Sequence, residues 1–150
     1  MKIINSIPKE RIDEVLTFNK YFTHLMGEEY FNSYIVSNTD FDISFALLNE
    51  NDEIVGVYLL NKSKIDNYVT DSTKFNGLKG AEGVLLCIQE DYRNHGWGNK
   101  LKDAPKSLDI DYIWGQQFKG LNNLQDWLKR RELIDQTQDI YITAEIFKKQ

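Results

Sequence analysis

A chain of 150 residues, 41% hydrophobic and 27% charged, has a globular composition and enough length for one substantial core. No apolar run reaches the ~18–20 residues that a membrane span needs. One cysteine (Cys87) and two histidines (His24, His95) exclude an intrachain disulfide and a Cys-rich zinc site, so no metal is expected. A net charge of −5 argues against nucleic acid and an anionic membrane surface as partners, and with no secretory signal at Met1–Pro8 the expected compartment is the cytoplasm.

Ser6 and Pro8 mark a helix start. Ile12, Val15, Leu16, Phe22, Leu25 and Met26 recur at helical spacing up to a stop at Gly27. A second helix carries Tyr30, Phe31, Tyr34 and Ile35 and ends near Ser37 and Asn38. The period then changes to two. Phe41, Ile43, Phe45 and Leu47 alternate with Asp42 and Ser44, residues 49–53 are turn-like, and Val55, Val57 and Leu59 alternate again, which predicts a β-hairpin. Residues 62–80 are polar, weakly patterned and long for a plain connection; such segments are often functional or mobile. The apolar run 84–88 predicts a central strand buried on both faces.

Residues 96–106 read as a helix with Leu101 and Ala104 inward and Pro105 at its end. Leu108, Ile110, Tyr112 and Trp114 predict a strand. Leu121, Leu124, Trp127 and Leu128 predict a helix, and Ile140, Ile142, Ala144 and Ile146 a last strand. A short strand near Leu133 and Ile134 is open. The order is roughly β-α-α-β-β-β-α-β-α-β, a mixed α/β fold around a central sheet, with no linker or repeat to divide residues 1–150.

The informative segment is VLLCIQEDYRNHGWGNKL, residues 84–101. An apolar strand enters a polar turn with Gly96 and Gly98, and the turn leads into a helix. Unpaired amides at a helix N-terminus favour an anion, and glycines let oxygen atoms approach the chain closely, which suits a pyrophosphate; Arg93 adds a positive charge. No G-K-[ST] follows, so it is no Walker loop, and the G-x-G-x-x-G dinucleotide pattern is absent.

The spacing Arg93-x-x-Gly96-x-Gly98, with Tyr92 before and Leu101 after, resembles motif A of the GNAT-type N-acetyltransferases, [Arg/Gln]-x-x-Gly-x-[Gly/Ala]. The order of elements resembles that family over almost the whole chain; Glu90 departs from it, standing where many members carry Pro. The resemblance implies a single GNAT-like domain over 1–150. Its mostly antiparallel sheet would be flanked by helices and splayed between the motif-A strand and a strand starting near Leu108. It implies acetyl-CoA as co-substrate. The backbone of Leu86, Cys87 and Ile88 would pair with the pantetheine arm, with an oxyanion donor near Cys87 or Ile88. The amides of Asn94, His95, Gly96, Trp97, Gly98 and Asn99 would hold the pyrophosphate.

A glutamate base resembling that of histone-acetylating members falls at Glu82; the plainer reading is an exposed strand-end carboxylate. The general-acid tyrosine of many members aligns here with Leu128, or Trp127 if shifted by one, leaving water, Tyr112 or Tyr141 for that proton. Asn122 or Asn123 would contact pantetheine or simply cap the helix. Cys87 reads first as a buried hydrophobe and only second as a nucleophile. His24 reads as structural, Trp97, Trp114 and Trp127 as packing residues, and Lys129, Arg130 and Arg131 as a solvated helix end, with the CoA 3′-phosphate as the alternative. Glu28, Glu29, Asp40 and Asp42 would attract an ammonium group or be ordinary surface acids.

The implied function is transfer of an acetyl group from acetyl-CoA to a primary amine by direct attack in a ternary complex, with a small-molecule or peptide amine as acceptor and a homodimer open. A CoA-binding module with weak or lost chemistry is the second reading, motivated by the missing tyrosine. A protein whose glycine turn holds no ligand is the third.

Overall fold

The computed structural model of the chain describes residues 1–120 and 124–147. The strands are β1 (Lys2–Asn5), β2 (Phe45–Leu48), β3 (Ile54–Asn61), β4 (Gly80–Ile88), β5 (Tyr112–Phe118), β6 (Glu132–Gln136) and β7 (Ile140–Ile146). The helices are α1 (Ile12–Leu16), α2 (Glu28–Asn38), α3 (Trp97–Asp103) and α4 (Leu124–Leu128). The mixed sheet has the order β1-β2-β3-β4-β5-β7-β6. Its one parallel ladder among those described is β4 with β5; β1–β2, β2–β3, β5–β7 and β6–β7 are antiparallel. The chain divides into two compact units, Met1–Asn61 with Val84–Ala104, and Lys62–Gly83 with Pro105–Gln150, so β4 runs through both.

In the first unit the leading strand is Lys2–Asn5, ahead of Ser6, paired from Lys2↔Leu48 to Asn5↔Phe45. The helix expected after Pro8 is broken into a 3-10 turn at Lys9–Arg11, α1, and a second 3-10 turn at Thr17–Tyr21. The Thr17 hydroxyl donates to the Glu14 carbonyl at 2.6 Å, which draws the backbone into the tighter turn. Val15, Phe18, Phe31 and Ile35 pack on Ala46, Leu48, Val57 and Leu59. The first hairpin strand begins at Phe45, not Phe41, and Phe45–Leu48 is buried at every position. The apparent alternation through Phe41 and Ile43 is instead a turn closed by Ser44 N–H to Phe41 O.

β4 corrects another expectation: Val84, Leu85 and Leu86 are half-buried, and of the run only Cys87 is buried. The helix expected over 96–106 is α3 followed by a 3-10 turn at Ala104–Ser107, because Pro105 has no N–H to continue the α ladder.

The second unit carries the ladder Gly80↔Tyr112 to Gly83↔Gly115. β5 starts at Tyr112 rather than near Leu108. The amides of both Asp111 and Tyr112 turn to the Lys79 carbonyl, and the Asp111 carboxylate takes the Lys79 amide at 2.8 Å, so the residues before Tyr112 form a bend. The connection 62–79 holds two 3-10 turns, Ile65–Asn67 and Thr73–Phe75, whose Ile65 and Phe75 are buried with Tyr112, Trp114, Ile142 and Ala144. α4 begins at Leu124; Leu121, Asn122 and Asn123 lie outside the described residues.

Candidate functional site

After β4 the chain makes a 3-10 turn at Glu90–Tyr92, beginning at the residue noted as a departure from the family pattern. Four contacts brace it. Gln89 N–H donates to Val55 O at 2.8 Å, and Glu90 N–H donates to the Tyr21 hydroxyl at 3.0 Å. Asn49 Nδ2 donates to the Tyr92 hydroxyl at 3.1 Å, and Arg93 Nε donates to Ile88 O at 2.7 Å. The Arg93 guanidinium also lies 4.7 Å from the Tyr21 ring centroid. Arg93 is therefore part of the turn's scaffold, and the Ile88 carbonyl already has a donor. Tyr21 had no sequence signal: it stands next to Phe22 but outside the helical pattern read in that segment.

Beyond this brace the chain opens. Asn94 (φ 66°) and Gly96 (φ 84°) are left-handed, and Asn94, His95 and Gly96 are exposed. Alternating backbone handedness of this kind turns successive N–H groups toward one side, a concavity suited to anions. Among the described residues none accepts a hydrogen bond from the amides of Asn94, His95 or Gly96. Those of Trp97, Gly98 and Asn99 form the first helical turn, where no intrahelical acceptor exists. A Cβ on Gly96 would meet nothing within 4 Å, and one on Gly98 only Ile88 Cδ1 at 3.8 Å. The space over the turn is vacant protein surface with donors lining it, which fits a diphosphate. Lys100 Nζ lies 4.2 Å from the Trp97 ring centroid, adding a cation to the same helix face.

On the preceding strand Cys87 is 7% exposed, and burial pushes its thiol up to about 11 despite the nearby Arg93. A thiol held protonated in an apolar setting is a poor nucleophile, so the hydrophobe reading is the one that stands.

In the second unit Glu82 is not an exposed strand-end carboxylate: it is 8% exposed, the third residue of β4, and register partner of Trp114. Its Oε2 accepts from Gln116 Nε2 at 2.9 Å. The sequence points to Gln116 only through its place two residues after Trp114, on the same strand face. A buried carboxylate with a fixed donor is oriented, as a proton acceptor requires.

Of the tyrosines considered for the leaving thiolate, Tyr112 is fully buried, its hydroxyl accepting the Ile65 amide at 3.1 Å and its acidity weakened first of all by burial. It is a packing residue. Tyr141 is half-buried with Lys119 Nζ 4.9 Å from its ring centroid. Trp114 and Trp127 are core residues as expected, and Trp97 is half-buried. His24 is exposed rather than structural. Arg131 is not on a solvated helix end. It is buried, its guanidinium 4.0 Å from the Trp127 ring centroid and its Nη1 3.5 Å from Thr143 Oγ1. Lys129 pairs with Asp126 at the surface. Glu28 and Glu29 are exposed in the first turn of α2. Asn122 lies outside the described residues. Among the described residues no three His, Cys, Asp or Glu side chains gather to hold a metal ion, and no helix is long and apolar enough to cross a membrane.

No family model matches the sequence, and no curated protein matches it significantly. Solved structures do. NAA60 of Arabidopsis thaliana, in complex with acetyl-CoA, superposes with a TM-score of 0.67 at 13% identity over 97% of this chain and 99% of its own. The PaiA N-acetyltransferase of Thermoplasma acidophilum, in complex with coenzyme A, gives 0.66 at 11% identity over 98% and 100%. The NatC complex bound to Gag peptide and CoA gives 0.62 at 12% over 99% and 100%. At such identities the likeness concerns architecture alone, and that architecture is the GNAT-type N-acetyltransferase fold.

Proposed function

We propose that this chain, acting as one domain over 1–150, transfers an acetyl group from acetyl-CoA to a primary amine. The observation that carries the reading is the open turn after β4, with left-handed Asn94 and Gly96, unpartnered amides and no Cβ at Gly96 or Gly98. CoA-bound neighbours with the same fold support it. In this reading Asn94, His95, Gly96, Trp97, Gly98 and Asn99 offer their amides to the pyrophosphate. The backbone of Leu86, Cys87 and Ile88 runs beside the pantetheine, with an N–H there facing the thioester oxygen.

Direct transfer forms a C–N bond as the C–S bond breaks. The attacking amine must be neutral, so its ammonium proton goes to the Glu82 carboxylate, directly or through water. The departing thiolate takes a proton from water or Tyr141, balanced by the proton that the acylated nitrogen gives up to water, since Tyr112 is fully buried. The NatC structure, bound to a peptide, supports a peptide amine beside small amines as acceptor class.

The experiment is thiol release from acetyl-CoA against a panel of amines and peptide N-termini. Glu82→Gln is expected to lower kcat/KM by about 100-fold or more, the scale of a general base, with CoA affinity unchanged. Wild-type activity in Glu82→Gln would remove Glu82 from the chemistry. CoA binding without thiol release on any acceptor would leave a binding module.

A further inference from the structure

The register partner of Glu82, Trp114, is covered by a segment that no motif announces. Along β5, Tyr112, Trp114, Gln116 and Phe118 follow one another at period two on one face. The register Glu82↔Trp114 and the Gln116–Glu82 hydrogen bond put the Glu82 carboxylate on that face. The connection 62–79 covers its first half. Trp114 Nε1 donates to Ser63 O at 2.8 Å, and the Phe75 ring lies 4.7 Å from that of Tyr112. The Tyr68 ring lies 4.7 Å from that of Trp114, centroid to centroid. Past Trp114 the face opens: Gln116 is half-buried and Phe118 is 53% exposed. Glu82 stands at this boundary, and so does Tyr68, 45% exposed on the register partner of Glu82.

The cover is anchored rather than loose. The Thr70 amide and hydroxyl both donate to Asp135 Oδ2, at 2.7 and 2.9 Å, and Lys74 pairs with Glu132 at 2.8 Å, both on β6. The cover's own Ile65 and Phe75 are buried with Tyr112 and Trp114.

We propose that Tyr68 is a specificity-determining residue: a fixed aromatic wall beside the approach to Glu82 from the Phe118 end. It limits bulk next to the acceptor nitrogen and favours an amine that arrives as a cation through its ring face. The proposal rests on Glu82 as the proton acceptor of the preceding reading.

Carboxyl labelling of the full chain tests it without requiring turnover. A water-soluble carbodiimide that reaches Glu82 converts its carboxyl to an O-acylisourea, and glycine ethyl ester, a small amine, displaces the urea to leave an amide mapped by peptide mass spectrometry, so the rate reads access to Glu82. Tyr68→Ala is expected to label Glu82 several-fold faster than wild type, and Tyr68→Phe close to the wild-type rate. Asp135 and Glu132 should be unchanged because the connection stays tied. Equal Glu82 rates in wild type and Tyr68→Ala overturn the proposal. A rise shared by Asp135 and Glu132 also overturns it, because the segment has then detached and no single ring was the wall.

Thiol release with ethylamine, benzylamine and naphthylmethylamine reads the same wall through turnover. Tyr68→Ala should raise kcat/KM for the bulkiest amine relative to the smallest at unchanged CoA affinity, and an unchanged ratio contradicts the wall. If the wild-type chain acetylates none of these or the wider panel, the acetyltransfer reading fails, and the labelling still decides whether Tyr68 guards Glu82.

Discussion

Gly96 and Gly98 differ in what a side chain would cost. Gly98 lies in α3, where a Cβ would make only an ordinary contact with Ile88 Cδ1 at 3.8 Å, so Gly98→Glu adds a carboxylate to the turn and improves helix propensity. It should leave the melting temperature within a few degrees of wild type and weaken CoA binding by at least about 100-fold, as like charges brought together cost several kcal/mol. Gly96→Glu places the same charge where φ is 84°, so it should lose both CoA and about 1 kcal/mol of stability. Calorimetric titration beside a thermal melt separates the two effects.

Cys87 gives a pH test. Its folded pKa is raised, so the stability from keeping the thiol neutral is complete below the unfolded-chain value near 9. That stability is lost as pH rises toward about 11. Wild type should therefore lose stability between pH 9 and 11 relative to Cys87→Ala, and native Cys87 should resist iodoacetamide at pH 9 while the urea-unfolded chain reacts. Rapid native alkylation would contradict the burial. At this scale the glycines and Arg93 were legible because backbone freedom and charge are written in residue type. The Arg93–Ile88 and Gln116–Glu82 bonds were not, because they depend on which distant side chains the sheet brings together.

The element that most repays attention is the crossing of Gly80 and Tyr112. A Cβ on Gly80 would lie 2.2–2.5 Å from Tyr112 ring atoms and hydroxyl, and that ring is fully buried against Phe75. Gly80→Ala must therefore move the ring and its bond to Ile65, at a cost of about 1–3 kcal/mol, seen as a lower urea midpoint; an unchanged midpoint would mean that the ring is not held there. The longer periodic elements, α2 and β7, were readable from hydrophobic spacing. β5 was misplaced at its start because the Leu108 and Ile110 alternation continues into it, while the Lys79–Asp111 hydrogen bonds that bend the chain are non-local. The connection 62–79 shows no period because its anchors, Ile65 and Phe75, sit in separate 3-10 turns divided by polar residues. Its order comes from contacts with β5, β6 and β7 rather than from local propensity.

For the whole molecule, the fold was readable because an apolar-strand signal, a glycine turn and a fixed element order agree with one another. Neither the acceptor nor the general acid is written in any one segment. A bound cofactor should be visible globally: at a hundredfold excess over its Kd, CoA adds about 2.7 kcal/mol to the native state. That is a rise in melting temperature of roughly 5–10 °C for a chain of this size. The most direct measurement is isothermal titration of the full chain with coenzyme A, run beside Gly98→Glu. Saturable binding by wild type, lost in a variant that melts as wild type does, is the predicted result. Heats equal to dilution up to millimolar CoA, or a Gly98→Glu chain that binds as tightly as wild type, would contradict the diphosphate site at this turn.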